Sequence, residues 1–154
     1  MQFKSLAVTS DHADLQFKEK IIEYLRTKGL EVLDLGPPVT YSGSVDYPDY
    51  AAKLTKKIVE KKTWGGIAIC GTGIGMSIAS NKFPGIRAAC PWNKATAEMT
   101  RKHNNSNVLC LGARTLSLDE AISLLNIWLK TPFDGGRHEK RLDKIAAFDR
   151  KSHS

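Results

Sequence analysis

The sequence has little of what marks a membrane protein, a secreted protein or a disulfide scaffold. None of its apolar runs approaches the ~20 residues that a helix needs to cross a bilayer. The apolar stretch near the N-terminus is short and leads directly into Asp11 and His12, unlike a signal peptide. The three cysteines are an odd number and include no CxxC pair. We therefore expect a cytoplasmic protein with free thiols and no membrane association.

Positive charge is in excess, because 23 lysines and arginines outnumber 16 acidic residues and give a net charge of +7. Much of this charge lies between Lys53 and Lys62, where lysines alternate with apolar residues at helical spacing. Such a run is typical of the solvated face of an amphipathic helix. No aromatic residue interrupts it to stack on a base, so we expect no nucleic-acid partner. A nucleotide-binding or nucleic-acid-binding module is the alternative, and it predicts steeply salt-dependent binding.

Short β-like runs alternate with runs of helical periodicity along the chain. Strands are predicted at 3–9, 30–35, 66–70, 86–90 and 107–111. Helices are predicted at 14–28, 48–62, 76–83, 94–103 and 117–131, and a last helix at 137–149. Ser117 and Glu120 have the spacing of a capping box. This order predicts one α/β domain over residues 1–150, with a parallel sheet covered by helices on both faces and a C-terminal helix, followed by a short frayed tail at 151–154.

A glycine-rich segment, 70–75 (Cys-Gly-Thr-Gly-Ile-Gly), joins the third predicted strand to a helix. Ligands of open α/β sheets bind beyond the carboxyl ends of the strands, so this segment is a candidate site. It is not a P-loop, because Met76 follows where lysine is needed. It is not a dinucleotide fingerprint either, because the spacing is GxGxG. Three interpretations stay open: an oxyanion hole for an enolate-like intermediate, an anion site, or a structural turn.

Cys70 differs from Cys90 and Cys110, which we interpret as small buried hydrophobic residues. It adjoins both the glycines and a predicted helix N-terminus, and these features favour the thiolate over the thiol. A thiolate can act as a nucleophile, a metal ligand or a general base. The metal interpretation is weak because no second cysteine or histidine stands at ligand spacing.

Arg137 and Arg141 are four residues apart and share one face of the last predicted helix. The Gly135-Gly136 pair opens that helix and leaves its N–H groups accessible. Two guanidinium groups beside a helix N-terminus can clamp a phosphate, although a solvated basic helix is an equal alternative. His103, at the end of another predicted helix, is by itself typical of a helix-end or surface residue.

Taken in order, these segments resemble the type B ribose-5-phosphate isomerases and their galactose-6-phosphate relatives. Each motif alone is weak, but the ordered set covers nearly the whole chain. In one-letter code the matching segments are DH at 11–12, DYP at 46–48, CGTGIGMS at 70–77, NK at 81–82, GIRA at 85–88, HNNSN at 103–107, GAR at 112–114 and GGRHEKR at 135–141.

The resemblance implies a Rossmann-like, doubly wound sheet of five strands and a homodimer with the active site at the subunit interface. Whether dimers pair into tetramers stays open. It implies no metal and no organic cofactor. The implied reaction interconverts D-ribose 5-phosphate and D-ribulose 5-phosphate through an enediolate, a step of the non-oxidative pentose phosphate pathway. Isomerisation of allose 6-phosphate or galactose 6-phosphate is the alternative.

The resemblance also implies four catalytic residues, with Cys70 as the base that moves a proton between C1 and C2 of the sugar. Some members of the family use a glutamate beside the glycine loop, but here Met76 occupies that neighbourhood. Thr72 would support the thiolate or the substrate oxygens. His103 would open the furanose ring, with Asp11 helping on the hydroxyl side.

The remaining implied site residues bind the substrate. The developing enediolate would be held by backbone N–H groups of Gly71, Gly73, Ile74 and Gly75. The sugar would be positioned by Tyr47 and Asn104, and His12 would help to bind the phosphate end of the substrate. The phosphate would be bound by Arg114, Arg137, His138 and Arg141. Because the implied pocket lies at the dimer interface, we expect the cysteine and the histidine that serve one substrate to come from different subunits.

Overall fold

A computed structural model of the chain describes residues 3–151, which form five strands and six helices. The strands are β1 Ser5–Ser10, β2 Glu31–Asp34, β3 Gly65–Cys70, β4 Ala88–Ala89 and β5 Val108–Gly112. The helices are α1 Leu15–Thr27, α2 Tyr47–Val59, α3 Ile74–Ser80, α4 Lys94–Lys102, α5 Leu118–Lys130 and α6 Arg137–Lys151. Of the predicted frayed tail, 152–154 lie outside the described residues.

The sheet is parallel throughout, with the strand order β2-β1-β3-β5-β4. In its centre Val8 pairs with Ile67, and Ile67 pairs with Leu109. Cys70 pairs with Gly112, so β3 and β5 end at the same level. This confirms the predicted α/β class and brings the segments that follow β1, β3 and β5 to one edge of the sheet, here called the carboxyl edge. The opposite edge, where strands begin, is called the amino edge.

Side chains alternate between two buried clusters, one on each face of the sheet. The larger cluster packs α1 and α5 against β1, β3 and β5, and Trp128 at its centre stacks on Phe3 with ring centroids 4.4 Å apart. The smaller cluster packs α2 and α3 against the other face, around Leu54 and Met76. Near-continuous apolar strands such as β3 are buried on both sides, as parallel sheets require. Helices on both faces were predicted, and the structure confirms them. No described helix is both long enough and apolar enough to span a bilayer.

Local sequence signals explain where the helices begin. The Asp14 side chain accepts a hydrogen bond from the Phe17 N–H at 2.9 Å and caps α1. The predicted capping box at α5 is present, since Ser117 and Glu120 bond reciprocally. Each such cap contributes about 1 kcal/mol to helix stability.

Several element boundaries differ from the predicted ones, and two of the differences have a clear local cause. The fourth strand was predicted over 86–90 but comprises two residues, Ala88 and Ala89. The Asn81 side chain bonds both the N–H and the C=O of Ala88, in the place of a further strand. Helix α2 ends at Val59, earlier than predicted, and Lys61 follows with a φ of 56°. A residue with positive φ cannot continue a right-handed helix.

Candidate active site

The glycine loop begins where Cys70 closes β3. Cys70 is 5% exposed, and the Gly73 N–H donates a hydrogen bond to its Sγ at 3.2 Å. Gly73 is the N-cap of α3 and has a φ of 78°, a conformation that favours glycine. The Thr72 Oγ1 accepts a hydrogen bond from the Ile74 N–H at 3.3 Å. The Gly73 N–H and the N-terminus of α3 therefore lie beside the Cys70 sulfur.

The other two cysteines lie on the same side of the sheet as Cys70. The Cys90 thiol donates to the Thr72 carbonyl at 3.6 Å, and Cys110 is fully buried in β5. Burial, and then the proximity of Cys70, raises the pKa of Cys90. Burial also raises the pKa of Cys110 well above its ordinary value. Both residues therefore stay protonated at neutral pH. Cys110 agrees with the interpretation as a small buried hydrophobic residue, whereas Cys90 is only half-buried.

Two predicted binding residues border the glycine loop directly. The Tyr47 ring covers Gly75 so closely that a methyl group there would lie 2.8 Å from Tyr47 Cζ. Arg114 lies beside Gly71, where an added methyl group would be 3.4 Å from Arg114 Cδ. The loop between β5 and α5 carries Arg114 there, because the Arg114 N–H donates to the Gly71 carbonyl at 2.9 Å. An aromatic ring and a cation thus flank the loop.

Asp11 and His12 follow β1 at the same edge. The Asp11 N–H donates to the Ile69 carbonyl at 3.0 Å, which places Asp11 next to the end of β3. Its carboxylate accepts the Ala13 N–H at 2.8 Å. His12 is exposed, and its Nδ1 lies 3.1 Å from both the N and the O of Val45. The carboxyl edge therefore collects ten of the predicted site residues: Asp11, His12, Tyr47, Cys70, Gly71, Thr72, Gly73, Ile74, Gly75 and Arg114.

A second cluster forms around His103, the C-cap of α4. The His103 ring stacks on the ring of His138, with centroids 4.2 Å apart and planes 9° from parallel. The Asp134 N–H donates to the Lys102 carbonyl at 3.0 Å and ties the loop before α6 to the end of α4. Arg141, one turn along α6, lies with Nη1 3.4 Å from His138 Nδ1.

The electrostatics of this second cluster favour an anion. Burial lowers the pKa of His138, and the charges of His103, Arg137 and Arg141 lower it further, while Asp134 opposes them. His138 therefore stays neutral at physiological pH, so the positive charge that acts on the histidine pair from α6 comes from Arg137 and Arg141. Arginine pairs at the start of a helix bind phosphate well.

One nitrogen each from His103 and His138 and a carboxylate oxygen of Asp134 lie within 4.8 Å of one another. Imidazoles and a carboxylate are suitable zinc ligands by type. The nearly parallel rings, however, direct their lone pairs side by side rather than toward a common point. Two neighbouring guanidinium groups also repel a cation. The described geometry therefore suits a phosphate or sugar oxygen better than a metal ion.

The two clusters lie at opposite edges of the sheet. Cys70 ends β3 at the carboxyl edge, whereas His103 ends α4, which runs back to the amino edge before β5 begins. Asn107, four residues after His103, accepts a hydrogen bond at its carbonyl from Gly66 near the start of β3. The four residue steps from Gly66 to Cys70 span about 13 Å. One chain therefore does not bring Cys70 and His103 to the same substrate.

Comparison with known proteins identifies the family. A sequence model described as Ribose/Galactose Isomerase matches residues 6–145. The chain belongs to the ribose/galactose isomerase family. It is 39% identical over 149 residues to ribose-5-phosphate isomerase B of Escherichia coli, covering 96% of this chain and 98% of that protein.

Solved structures of the family agree with this membership. Ribose-5-phosphate isomerase B of Clostridium thermocellum is 42% identical, with a TM-score of 0.91 over 96% of this chain and 99% of that one. The Mycoplasma genitalium enzyme, solved with bound ribulose-5-phosphate, is 40% identical, with a TM-score of 0.90 over 96% of this chain and 97% of that one. The Rossmann-like fold implied by the resemblance is thereby confirmed.

Sequence reasoning missed two features of this family member's candidate site. Asp134, which closes the second cluster, was not among the predicted residues, although its position directly before the Gly135-Gly136 pair could have revealed it. Arg87 belongs to the matched motif at 85–88 but had no assigned role. Its contacts with the segment after His103 are visible in the three-dimensional structure alone.

Proposed function

We propose that the chain is an aldose–ketose isomerase that interconverts D-ribose 5-phosphate and D-ribulose 5-phosphate. The observation that carries the proposal is the Cys70 sulfur, held at the mouth of a glycine loop with a backbone N–H 3.2 Å away. Proton transfer beside a carbonyl requires a positioned base and donors for the oxygen that becomes negative. The relatives that bear the name ribose-5-phosphate isomerase B, and the ribulose-5-phosphate complex of one of them, support this substrate.

The first step opens the sugar ring, because ribose 5-phosphate has no free carbonyl as a furanose. His103 donates a proton to the ring oxygen while Asp11 accepts the proton of the anomeric hydroxyl. The Cys70 thiolate then removes the proton from C2, a proton passes from the C2 hydroxyl oxygen to the C1 oxygen of the enediolate, and Cys70 returns its proton to C1. N–H groups of the glycine loop stabilise the enediolate between these transfers. Thr72 supports the substrate oxygens.

Binding energy far from the reacting carbons orients the sugar for these steps. Arg137 and Arg141 of α6 hold the phosphate, together with Arg114, His138 and His12. The sugar lies between Tyr47 and Asn104. A phosphate carries close to two negative charges at neutral pH, and the three arginines match it without any metal.

Because the two clusters lie at opposite edges of the sheet in one chain, a complete site requires a homodimer. We infer that Cys70, Asp11 and Arg114 of one chain meet His103 and Arg137 of a second copy. Such a site is incomplete in a single chain. A pair of dimers could associate further without changing this composition.

Mixed dimers test the shared site. Cys70→Ala and His103→Ala chains are each inactive, but mixing them leaves one intact site in every mixed dimer. Random exchange of equal amounts restores about a quarter of wild-type activity, because half the dimers are mixed and half their sites are intact. A site built within one chain would give no restored activity, and that result would contradict the shared arrangement.

The reaction itself is tested by a coupled assay of ribose 5-phosphate turnover with a chelator present. We expect turnover that Cys70→Ala lowers by at least about 10²–10⁴-fold, the usual contribution of a general base. Folding of that variant is checked by circular dichroism. A folded wild-type protein that turns over allose 6-phosphate instead would assign it to six-carbon substrates. The three free cysteines accord with a cytoplasmic location, which we propose for the enzyme.

A further inference from the structure

The segment that follows His103 is held by an unusual set of carbonyl contacts. Arg87, just before β4, donates from Nε to the carbonyl of Asn104 at 3.0 Å and to that of Asn105 at 3.1 Å. Its Nη2 donates to the Asn105 carbonyl at 2.9 Å. Arg101 of α4 donates from Nη1 to the next carbonyl, that of Ser106. Two guanidinium groups thus bind three successive carbonyl groups.

These contacts add to backbone hydrogen bonds within the segment, where the Asn105 N–H donates to the Arg101 carbonyl and the Ser106 N–H to the Thr100 carbonyl. Asn105 has a φ of 45°, a left-handed conformation that is uncommon for a residue other than glycine. Three carbonyl groups that face away from any strand or helix also need donors. A guanidinium group has five N–H donors in a rigid fork, so one arginine can bond two neighbouring carbonyls at once. Lysine has no such fork.

Arg87 is itself anchored at the amino edge. Its N–H donates to Asn107 Oδ1 at 2.8 Å, and Asn107 Nδ2 donates to the Gly85 carbonyl at 2.9 Å. The Gly85 N–H in turn donates to Asp149 of α6 at 2.9 Å. The helix that carries the phosphate-binding arginines and the segment after His103 are therefore both tied to residues 85–87.

We propose that Arg87 is a positioning residue for the ring-opening half of the reaction. It holds the peptides after His103 so that the imidazole and the Asn104 side chain meet the furanose ring. It makes no contact with Cys70, which lies at the other edge of the sheet. The inference rests on the proposed function and assigns to Arg87 one step of that function.

The substrates allow ring opening to be separated from proton transfer. Ribulose 5-phosphate is open-chain, because its C5 oxygen carries the phosphate and is not available to close a ring on C2. Removal of a C1 proton from ribulose 5-phosphate therefore needs the Cys70 half of the site but no ring opening. In D₂O this removal is seen as deuterium entering C1.

The experiment measures both reactions in Arg87→Gln and Arg87→Lys, with Arg26→Gln as the control. Arg26 is exposed in the last turn of α1, a helix that contributes no residue to either cluster. We expect Arg87→Gln to lower kcat for ribose 5-phosphate by about 10²-fold, the usual effect of a small misplacement of a catalytic group. Deuterium exchange at C1 of ribulose 5-phosphate should persist at the wild-type rate. Millimolar guanidinium ion should partly restore ribose 5-phosphate isomerisation by Arg87→Gln.

Three results would overturn the inference. If Arg87→Gln lowers isomerisation and deuterium exchange equally, Arg87 has a general structural role; if it lowers neither, Arg87 has no role in the reaction. Full activity of Arg87→Lys would show that the guanidinium fork is not required. If Arg87→Gln does not fold, Arg87→Lys carries the same comparison, with partial loss of the ring-opening rate expected. Absence of both reactions in the wild-type protein would instead refute the proposed function. The two failures are therefore distinguishable.

Discussion

Replacement of Gly73 by alanine tests the glycine loop most directly. Gly73 has a φ of 78°, and a methyl group on it would lie 2.8 Å from Cys90 Sγ, 3.0 Å from the Leu111 carbonyl carbon and 3.2 Å from the Gly112 nitrogen. Two of these three atoms belong to the backbone and cannot turn aside. The substitution therefore combines left-handed strain with overpacking.

The magnitude follows from these two contributions. A left-handed conformation costs a residue with a Cβ about 1–2 kcal/mol. Overpacking in a well-filled interior costs about 1–3 kcal/mol more. We expect Gly73→Ala to lower the free energy of unfolding by about 2–5 kcal/mol, which corresponds to a fall in Tm of about 4–20 °C for a domain of this size.

Gly29 provides a matched control. It has a φ of 74° but nothing within 4 Å of an added methyl group. Gly29→Ala should therefore show the strain alone, about 1–2 kcal/mol, and should leave kcat unchanged. Urea unfolding of both variants separates the cost of backbone strain from the cost of overpacking at Gly73.

Activity provides the second readout. The methyl group pushes the Gly73 N–H away from Cys70 Sγ and from the enediolate. Loss of one such donor costs about 10²–10³-fold in kcat. Equal stability of the two alanine variants, or normal turnover by Gly73→Ala, would refute the view that this loop is a tightly packed oxyanion site.

Four further predictions concern other parts of the molecule. Trp128→Phe removes the indole N–H that donates to the buried Ser106 hydroxyl at 2.8 Å, so it should cost about 1–3 kcal/mol in urea unfolding. Trp92→Phe, at a side chain 77% exposed, should stay within about 0.5 kcal/mol of wild type. Because the pKa of folded His138 lies below its ordinary value of 6.5, the unfolded chain binds more protons just below that pH. The free energy of unfolding should therefore fall as the pH drops below 6.5. His138→Asn should reduce this pH dependence, and an unchanged pH dependence in that variant would contradict the prediction. Cys90→Ala should retain wild-type kcat, since the raised pKa of Cys90 keeps it a thiol, and a large loss would show that the proton is carried by more than one sulfur.

Much of the fold was predictable because its signals are local. The apolar runs of β3 and β5, the amphipathic helices and the capping box at Ser117 each depend on residues close together in sequence. Parallel pairing followed from the alternation of strands and helices. The glycine loop was predictable in the same way, as a turn between a buried strand and a helix.

The long-range contacts were not predictable, because they depend on how separate elements pack. His103 and His138 are 35 residues apart and share no periodic pattern, yet their rings stack. Lys18 lies in a helical run where a lysine is normally exposed, but its side chain is fully buried and its Nζ lies 2.7 Å from an oxygen of Asp34. Distances of this kind are set by the crossing of helices over the sheet and leave no trace in local sequence.

The predicted site residues lie at both the carboxyl edge and the amino edge of the sheet. Ligands of open parallel sheets bind at the carboxyl edge, and residues at the amino edge are ordinarily structural. Under the proposed function, the ring-opening and phosphate chemistry would instead lie at the amino edge, on His103, Asn104, Arg137, His138 and Arg141. That chemistry reaches the Cys70 loop if the amino edge of a second copy lies against the carboxyl edge of the first. Arg87 and other residues that fix the conformation of the amino edge would then influence a reaction whose base, Cys70, belongs to another chain.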